Sequence, residues 1–279
     1  MKLYSVETGN FKLDGGAMFG VVPKSLWERT NPADSKNRIQ MSSRCLLIED
    51  GKNLILIDTG LGEKQDEKFF AHYDRSNEVS LSSSIRSLGF STDDITDVFF
   101  THLHFDHCGG ATAREGDKIV PVFKNAKFWC SKSHWDWATV NPNPREKSSF
   151  LNENIMPLKE SGQLNLFTST GLVADLGLEF ISVDGHTEKM SLPKINYKGN
   201  LILFASDLVP TSGHIPVPYL MGYDVRPLKT MEEKQTILSE LEDNNSFLFL
   251  QHDPTTEVVS LKKTEKGVRL DQAFLLKDL

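Results

Sequence analysis

The segment from Phe99 to Gly110, FFTHLHFDHCGG, constrains this chain more than any other feature. It places three histidines and an aspartate between positions 102 and 107, although the 279 residues contain only eight histidines. Side chains packed this densely would repel one another or lack partners unless a cation gathered them. Imidazole with carboxylate is the donor set of Zn²⁺, Fe or Mn, whereas Mg²⁺ and Ca²⁺ prefer oxygen. We therefore interpret four side chains as metal ligands: His102, His104, Asp106 and His107.

Further candidate ligands follow apolar runs that predict strands. The cluster itself comes after DITDVFF, so we expect it on a loop at the end of a buried strand. His186 follows LEFISVDG, Asp207 follows LILFAS and His252 follows FLFLQ. Because ligands of α/β proteins bind beyond the carboxyl ends of strands, we expect these three side chains to join the cluster.

The remaining pattern alternates strands with helices. The predicted elements are a hairpin formed by CLLIED and NLILID around Asp50-Gly51, a helix from Ser80 to Leu88 ended by Gly89, a short helix in SHWDWATV, a proline-rich loop in NPNPREKSSF, a helix in MEEKQTILSELEDN and a closing hairpin in EVVSLKKTEKGVRLDQAFLL. No low-complexity linker separates the halves. The sequence therefore predicts a single α/β domain over residues 1–279, made of two similar halves.

Composition narrows the function. The formal net charge of −7 argues against a nucleic-acid partner, because phosphate binding depends on clustered Lys and Arg. The three cysteines show no C-x-x-C spacing, which argues against a disulfide framework. The start of the chain has no apolar signal region, and no apolar run approaches the roughly 20 residues that span a bilayer. We expect a cytoplasmic protein without a membrane partner.

The full motif set resembles the metallo-β-lactamase superfamily. The resemblance rests on the ligands above, on His186 in Gly-His-Thr, and on IDTG at Ile57 to Gly60. It implies an αβ/βα four-layer sandwich of two mixed β-sheets with helices on the outer faces. It also implies two divalent metal ions, with Zn²⁺ expected first and Fe, Mn or Co as alternatives. By this resemblance one metal is held by His102, His104 and His186, the other by Asp106, His107 and His252, and Asp207 bridges both.

The segment DGGAMFGVVPK, Asp14 to Lys24, looks like that of hydrolases related to N-acyl homoserine lactonases and methyl parathion hydrolases. The resemblance implies a dinuclear hydrolase whose metal-bridging hydroxide opens a lactone ring, with N-acyl homoserine lactone as the expected substrate, as in quorum quenching. The same site suits organophosphate triesters or aryl esters, while redox and nuclease functions fit the chain less well. Asp106 is the candidate proton shuttle to the leaving group. A monomer or a homodimer is expected.

Two departures from the family pattern concern the substrate. The second His of the usual Gly-His-Thr-Pro-Gly-His motif is Met190 here, and no Tyr stands shortly after Asp207. His214 is the expected catalytic replacement for that Tyr, with Tyr219 and Tyr223 as alternatives and candidate substrate-binding residues.

Met18 and Phe19 are also expected to bind substrate, on a loop whose unusual backbone Gly15-Gly16 permits. The alternative for that loop is a core anchor. Asp58 is expected either to orient the metal-loop histidines or to cap a turn. His134 is interpreted as a packing residue and His72 as a surface residue.

Overall fold

The structure is a computed structural model that describes residues 1–76, 79–242 and 245–279. The chain divides into two compact units. The first comprises Met1–Phe11 and Ser43–Thr168, and the second comprises Lys12–Ser42 and Ser169–Leu279. Whether the chain behaves as the single predicted domain stays a prediction.

The described residues form strands and short to medium helices. The strands are β1 (Lys2–Asp14), β2 (Arg38–Asp50), β3 (Asn53–Ile57), β4 (Asp97–Phe99), β5 (Thr112–Glu115), β6 (Lys118–Pro121), β7 (Lys127–Ser131), β8 (Leu164–Phe167), β9 (Leu172–Val173), β10 (Leu178–Val183), β11 (Met190–Tyr197), β12 (Asn200–Phe204), β13 (Ser246–Phe249), β14 (Val258–Thr264) and β15 (Gly267–Phe274). The helices are α1 (Gly15–Phe19), α2 (Lys24–Trp27), α3 (Glu67–Tyr73), α4 (Leu81–Ser87), α5 (Phe105–Cys108), α6 (Lys132–Thr139), α7 (Asn152–Glu160) and α8 (Pro227–Glu240).

The first sheet has six strands in the order β1-β2-β3-β4-β7-β8. Strands β2 and β3 are antiparallel, whereas β4 runs parallel to both β3 and β7. Gly51 makes the β2–β3 turn at φ 63°, a left-handed conformation that glycine adopts without steric cost. The hairpin predicted at Asp50-Gly51 is therefore confirmed. Apolar side chains of the first unit, such as Leu56, Phe100 and Phe128, are fully buried in one cluster.

Helix α4 shows how local sequence positions these elements. The Ser80 hydroxyl accepts from the backbone N–H of Ser83, and the Ser83 side chain accepts in return from the Ser80 N–H, which forms a capping box. Leu81 and Ile85 face the core, and Gly89 leaves the helix at φ 90°. The predicted boundaries of this helix are confirmed.

The second sheet has seven strands in the order β15-β14-β13-β12-β11-β10-β9. Its one parallel pair among the described ladders is β12 with β13, and the connection between them carries α8. The closing hairpin, β14 with β15, is antiparallel as predicted. Helix α8 begins at Pro227, earlier than the predicted start at Met231. The predicted end of that helix, Asp243-Asn244, lies outside the described residues.

Three predicted loops contain helical turns. Residues 105–108 of the histidine segment form helix α5, so the cluster lies only partly on a loop. The proline-rich segment includes a 3₁₀ turn at Lys147–Ser149, after its prolines have ended. The segment from Asp14 to Lys24 contains α1, whose N-terminus is capped by the Asp14 carboxylate.

In the part of the chain that the structure describes, every helix is too short or too polar to traverse a lipid bilayer.

Candidate metal-binding site

Asp58 organises the first ligand segment. It follows β3, is fully buried, and occupies the left-handed region at φ 59°. Its carboxylate accepts from the Thr101 backbone N–H and hydroxyl, both at 2.8 Å, and from Nδ1 of His107 at 2.9 Å. The orienting role predicted for Asp58 is thus confirmed for His107. Because Nδ1 donates to Asp58, the Nε2 lone pair of His107 is available to a metal.

His102 and His104 face each other through atoms that both carry lone pairs. The Thr101 hydroxyl gives its proton to Asp58, so it accepts from Nδ1 of His102, which lies 3.1 Å away. Nε2 of His104 lies 3.2 Å from the buried Glu146 carboxylate and donates to it. The remaining nitrogens, Nε2 of His102 and Nδ1 of His104, are 3.0 Å apart. Two lone pairs at this distance repel unless a proton or a metal ion lies between them.

Asp106 and His107 both belong to helix α5 and lie one residue apart. The nearest oxygen of Asp106 is 3.8 Å from Nε2 of His107, and the Asp106 side chain is 12% exposed. The pair therefore offers one carboxylate and one imidazole nitrogen at neighbouring positions.

The second unit contains its own cluster, formed by His186, Asp207 and His252. One oxygen of Asp207 lies 3.1 Å from Nε2 of His186, and the other lies 3.0 Å from Nε2 of His252. Nδ1 of His186 is 3.0 Å from an Asp224 oxygen, and Nδ1 of His252 donates to the Ser42 carbonyl at 2.8 Å. Both imidazoles therefore direct Nε2 at the same carboxylate.

The buried carboxylates of this second cluster favour a positive charge beside them. Burial would lower the pKa of His186, but the Asp207 and Asp224 carboxylates raise it to about 10. The two acidic groups are almost fully buried, so their charge has little compensation from water. A bound cation would supply that compensation.

The donor atoms fit a transition metal. Each of the five imidazoles has one nitrogen committed to an oxygen acceptor and presents the other, which is the arrangement that metal-binding histidines adopt. The acceptors are Thr101 for His102, Glu146 for His104, Asp58 for His107, Asp224 for His186 and the Ser42 carbonyl for His252. Nitrogen donors with carboxylates suit Zn²⁺, Fe, Mn or Co.

Comparison with known proteins identifies the family. Residues 39–252 match the profile of the Metallo-beta-lactamase superfamily. The chain belongs to this superfamily. The predicted fold class is thereby confirmed, and the superfamily fold implies divalent metal ions.

The chain is similar to one curated relative and to two solved structures in particular. The N-acyl homoserine lactonase AiiB of Agrobacterium fabrum is 27% identical over 185 residues, which cover 56% of this chain and 66% of that protein. A probable metal-dependent hydrolase from Staphylococcus aureus superposes with a TM-score of 0.88 at 27% identity, covering 98% of this chain and 96% of that chain. AidC, a dizinc quorum-quenching lactonase solved with a product, N-hexanoyl-L-homoserine, has a TM-score of 0.80 at 22% identity and covers 98% of this chain and 95% of its own. The matched region spans less than two thirds of AiiB's length.

Met190 is the residue at which the chain departs from the usual superfamily motif. It is fully buried at the start of β11, and its sulfur lies 3.7 Å from the Ser206 hydroxyl. It packs in the apolar core of the second unit, where the usual motif has a histidine.

Met18 and Phe19 lie on helix α1 and are only 1% and 0% exposed. The Phe19 ring stacks on Trp27 at 5.3 Å and on His214 at 4.1 Å between ring centroids. Gly15 is needed for close approach: a Cβ there would lie 2.4 Å from the Trp27 ring. The expectation of an unusual backbone was wrong, because α1 is a regular helical turn. Burial favours the core-anchor alternative, and substrate binding by these two residues stays a prediction.

His214 has both ring nitrogens engaged inside the second unit. Nε2 donates to the Met18 carbonyl at 2.9 Å, and Nδ1 accepts from the Thr211 hydroxyl at 2.7 Å. Burial lowers its pKa to about 3, so the ring is neutral at physiological pH. This geometry favours a positioning role over proton transfer, and the catalytic role stays a prediction.

The two candidate tyrosines differ in exposure. The ring of Tyr219 lies edge-on to the ring of Phe19, with 6.3 Å between the ring centroids. Tyr223 is the more exposed of the two, at 41%.

Of the other histidines, His134 accepts the Leu103 backbone N–H at 2.9 Å and is fully buried, which confirms a packing role. His72 is exposed, as predicted.

Sequence reasoning missed two carboxylates and an aromatic group. Glu146 and Asp224 hold His104 and His186, but isolated acidic residues gave no signal in the sequence. Phe69, Tyr73 and Phe105 are half-buried and pack together at 5.0–5.4 Å. Phe105 directly precedes the candidate ligand Asp106 in the sequence. Burial, and then the charge of Asp106, raise the pKa of Tyr73. The FF and Y of α3 at helical spacing, with Phe105 inside the motif, were the available clue.

Proposed function

We propose that this chain is a dinuclear metal-dependent hydrolase that opens the ring of N-acyl homoserine lactones. The observation that carries the proposal is the set of five oriented imidazoles, each with its second nitrogen held by an oxygen acceptor. Membership of the superfamily and relatives named N-acyl homoserine lactonase support the reaction class.

The proposed ligands divide between two cations. One cation would be held by His102, His104 and His186 and the other by Asp106, His107 and His252, while Asp207 would contribute to both sites. Asp207 suits the shared position because its two oxygens face different imidazoles, at 3.1 and 3.0 Å. Bound divalent metals supply Lewis acidity and lower the pKa of water towards neutrality.

The chain's own residues then handle the proton and the substrate. Asp106 retains some solvent exposure, at 12%, and is proposed to carry a proton to the leaving alkoxide. Phe69, Tyr73 and Phe105 form a half-buried aromatic surface near Asp106, which suits the apolar acyl chain of the substrate.

A substrate panel with metal analysis tests the proposal. Purified protein is assayed against N-acyl homoserine lactones of increasing chain length, a phosphotriester and an aryl ester, with metals quantified by atomic emission. We expect about two metals per chain and the highest kcat/KM on the lactones. Protein with two metals that cleaves the phosphotriester or aryl ester but not lactones would contradict the substrate, and protein without metal affinity would contradict the whole proposal.

A further inference from the structure

Glu146 lies beyond the motif that defines the ligands, yet it contacts one of them. It lies inside the proline-rich segment NPNPREKSSF, two residues after Pro144, and is 3% exposed. One of its oxygens lies 3.2 Å from Nε2 of His104, and the other accepts from the indole N–H of Trp137. Both oxygens of this buried carboxylate therefore receive donors.

We infer that Glu146 is the positioning residue that sets the proton of His104 on Nε2 and so makes Nδ1 a metal ligand. This inference rests on the proposed metal site and extends it to a residue outside the motif. A carboxylate can only accept, so the His104 nitrogen that faces it must carry the proton. Nδ1, which faces Nε2 of His102 at 3.0 Å, is then left with its lone pair.

Because of the contact with Trp137, a glutamine amide cannot take the place of the Glu146 carboxylate. Glutamine has one acceptor oxygen and one donor nitrogen, so it can satisfy either Trp137 or His104 but not both. If its oxygen faces Trp137, its NH₂ group faces His104 and favours the opposite tautomer, with the proton on Nδ1. If its oxygen faces His104, its NH₂ group opposes the indole N–H. Glu146→Gln should therefore lower the metal affinity of the site that contains His104, without changing the size of the side chain at position 146.

A pair of substitutions separates tautomer control from general packing. Wild type, Glu146→Gln, Trp137→Phe and the double variant are titrated with Zn²⁺ against a chromogenic chelator. We expect Glu146→Gln to lower the affinity of one of the two sites by about 10–100-fold, as for other residues that orient metal ligands. In the double variant the indole donor is gone, so the Gln oxygen can turn to His104 and most of the affinity returns. Glu160→Gln, an exposed change on α7, is the matched control and should match wild type.

A second readout needs no substitution. The ¹⁵N shifts of the His104 ring in the metal-loaded wild type should report a protonated Nε2 and a metal-bound Nδ1, and the opposite assignment would overturn the inference even if Glu146→Gln failed to fold. Equal affinities for wild type and Glu146→Gln would also overturn it while leaving the hydrolase proposal intact. Absence of metal binding by wild type would instead refute the proposed function.

Discussion

The two ligand clusters are assembled by different means. In the first unit four candidate ligands lie within residues 102–107, so the local chain alone brings them together. In the second unit His186, Asp207 and His252 are spread over residues 186–252, and the sheet brings them together. The comparison shows that a dense motif can be recognised as a string, whereas a dispersed cluster depends on strand direction and register.

A common offset links the two clusters. Each of four strands ends three residues before a candidate ligand: β4 at Phe99 before His102, β10 at Val183 before His186, β12 at Phe204 before Asp207, and β13 at Phe249 before His252. In the second sheet Phe204 and Phe249 are paired in a parallel ladder, so the same offset places Asp207 and His252 at one edge.

The clusters also differ in what holds their imidazoles. In the first unit, side chains of Thr101, Glu146 and Asp58 accept from His102, His104 and His107. In the second unit one partner is the Asp224 carboxylate and the other is the Ser42 backbone carbonyl, which no substitution can remove. Substitutions should therefore affect metal binding unequally in the two clusters.

The largest effect is expected from Asp207→Asn, since the second cluster has this single carboxylate between its two imidazoles. Asparagine keeps one acceptor and turns an NH₂ group towards the lone pair of the other imidazole. Loss of the shared ligand should lower kcat by about 10³-fold, equivalent to about 4 kcal/mol of barrier, and reduce bound metal below two per chain.

Metal content and lactone turnover are measured together for this variant. The exposed Asp175→Asn of the same unit is the control and should keep both values. A variant at Asp207 with two tightly bound metals and full turnover would show that the dispersed cluster is not part of the site.

The next largest effect compares the two carboxylates that orient candidate ligands from behind, Asp58 and Asp224. Asp58 receives three donors, whereas the contact of Asp224 with His186 is a single one. We expect Asp58→Asn to lower metal affinity by about 100-fold and Asp224→Asn by about 10-fold, because asparagine can still accept one N–H. Chelator competition measures both variants. Equal losses would indicate that the number of donors does not decide the strength of the effect.

The sequence accounted for the family, for the strands and helices that carry clear apolar runs and for the candidate ligands, because these depend on local apolar patterns and on a dense motif. It could not supply Glu146 or Asp224, since a carboxylate far away in sequence becomes a partner only through the fold. It also misjudged the Asp14–Lys24 segment: Gly15 is explained by the Trp27 ring that packs against it, a contact with no local signature.

A smaller effect compares two buried histidines that are not ligands. His134 in the first unit accepts one backbone N–H, and His214 in the second engages Met18 and Thr211. His214→Phe keeps the ring stacked on Phe19 but leaves the Met18 carbonyl and the Thr211 hydroxyl without this partner. His134→Phe leaves the Leu103 N–H without this acceptor. Chemical denaturation should show a loss of about 1–3 kcal/mol for His134→Phe and for His214→Phe, which is the cost of an unsatisfied buried polar group.

Proton transfer by His214 can be separated from this structural cost. With a pKa of about 3 the ring stays neutral above pH 5, so the pH profile of kcat should keep its shape in His214→Phe. Loss of one limb of the profile, together with at least tenfold lower turnover and intact metal content, would instead establish the catalytic role predicted from the sequence.

The smallest effect concerns one buried lysine in each unit. Burial lowers the pKa of Lys64 to about 8 and that of Lys234 to about 7, and each donates to backbone carbonyls, of Gly109 and of Pro216 and Tyr219 respectively. A folded-state pKa below the unfolded value of 10.5 means that the unfolded chain binds more protons, so the free energy of unfolding rises with pH from the folded pKa up to about 10.5.

Between pH 7 and pH 8 Lys234 should contribute about 1 kcal/mol to this rise. Lys64 should contribute less than half as much, because its folded-state pKa is one unit higher and most of its ammonium groups are still protonated in this range. Urea unfolding at the two pH values should therefore show a flatter response in Lys234→Met than in Lys64→Met. The reverse order would mean that Lys64, beside the metal-loop segment, is the less hydrated of the two ammonium groups.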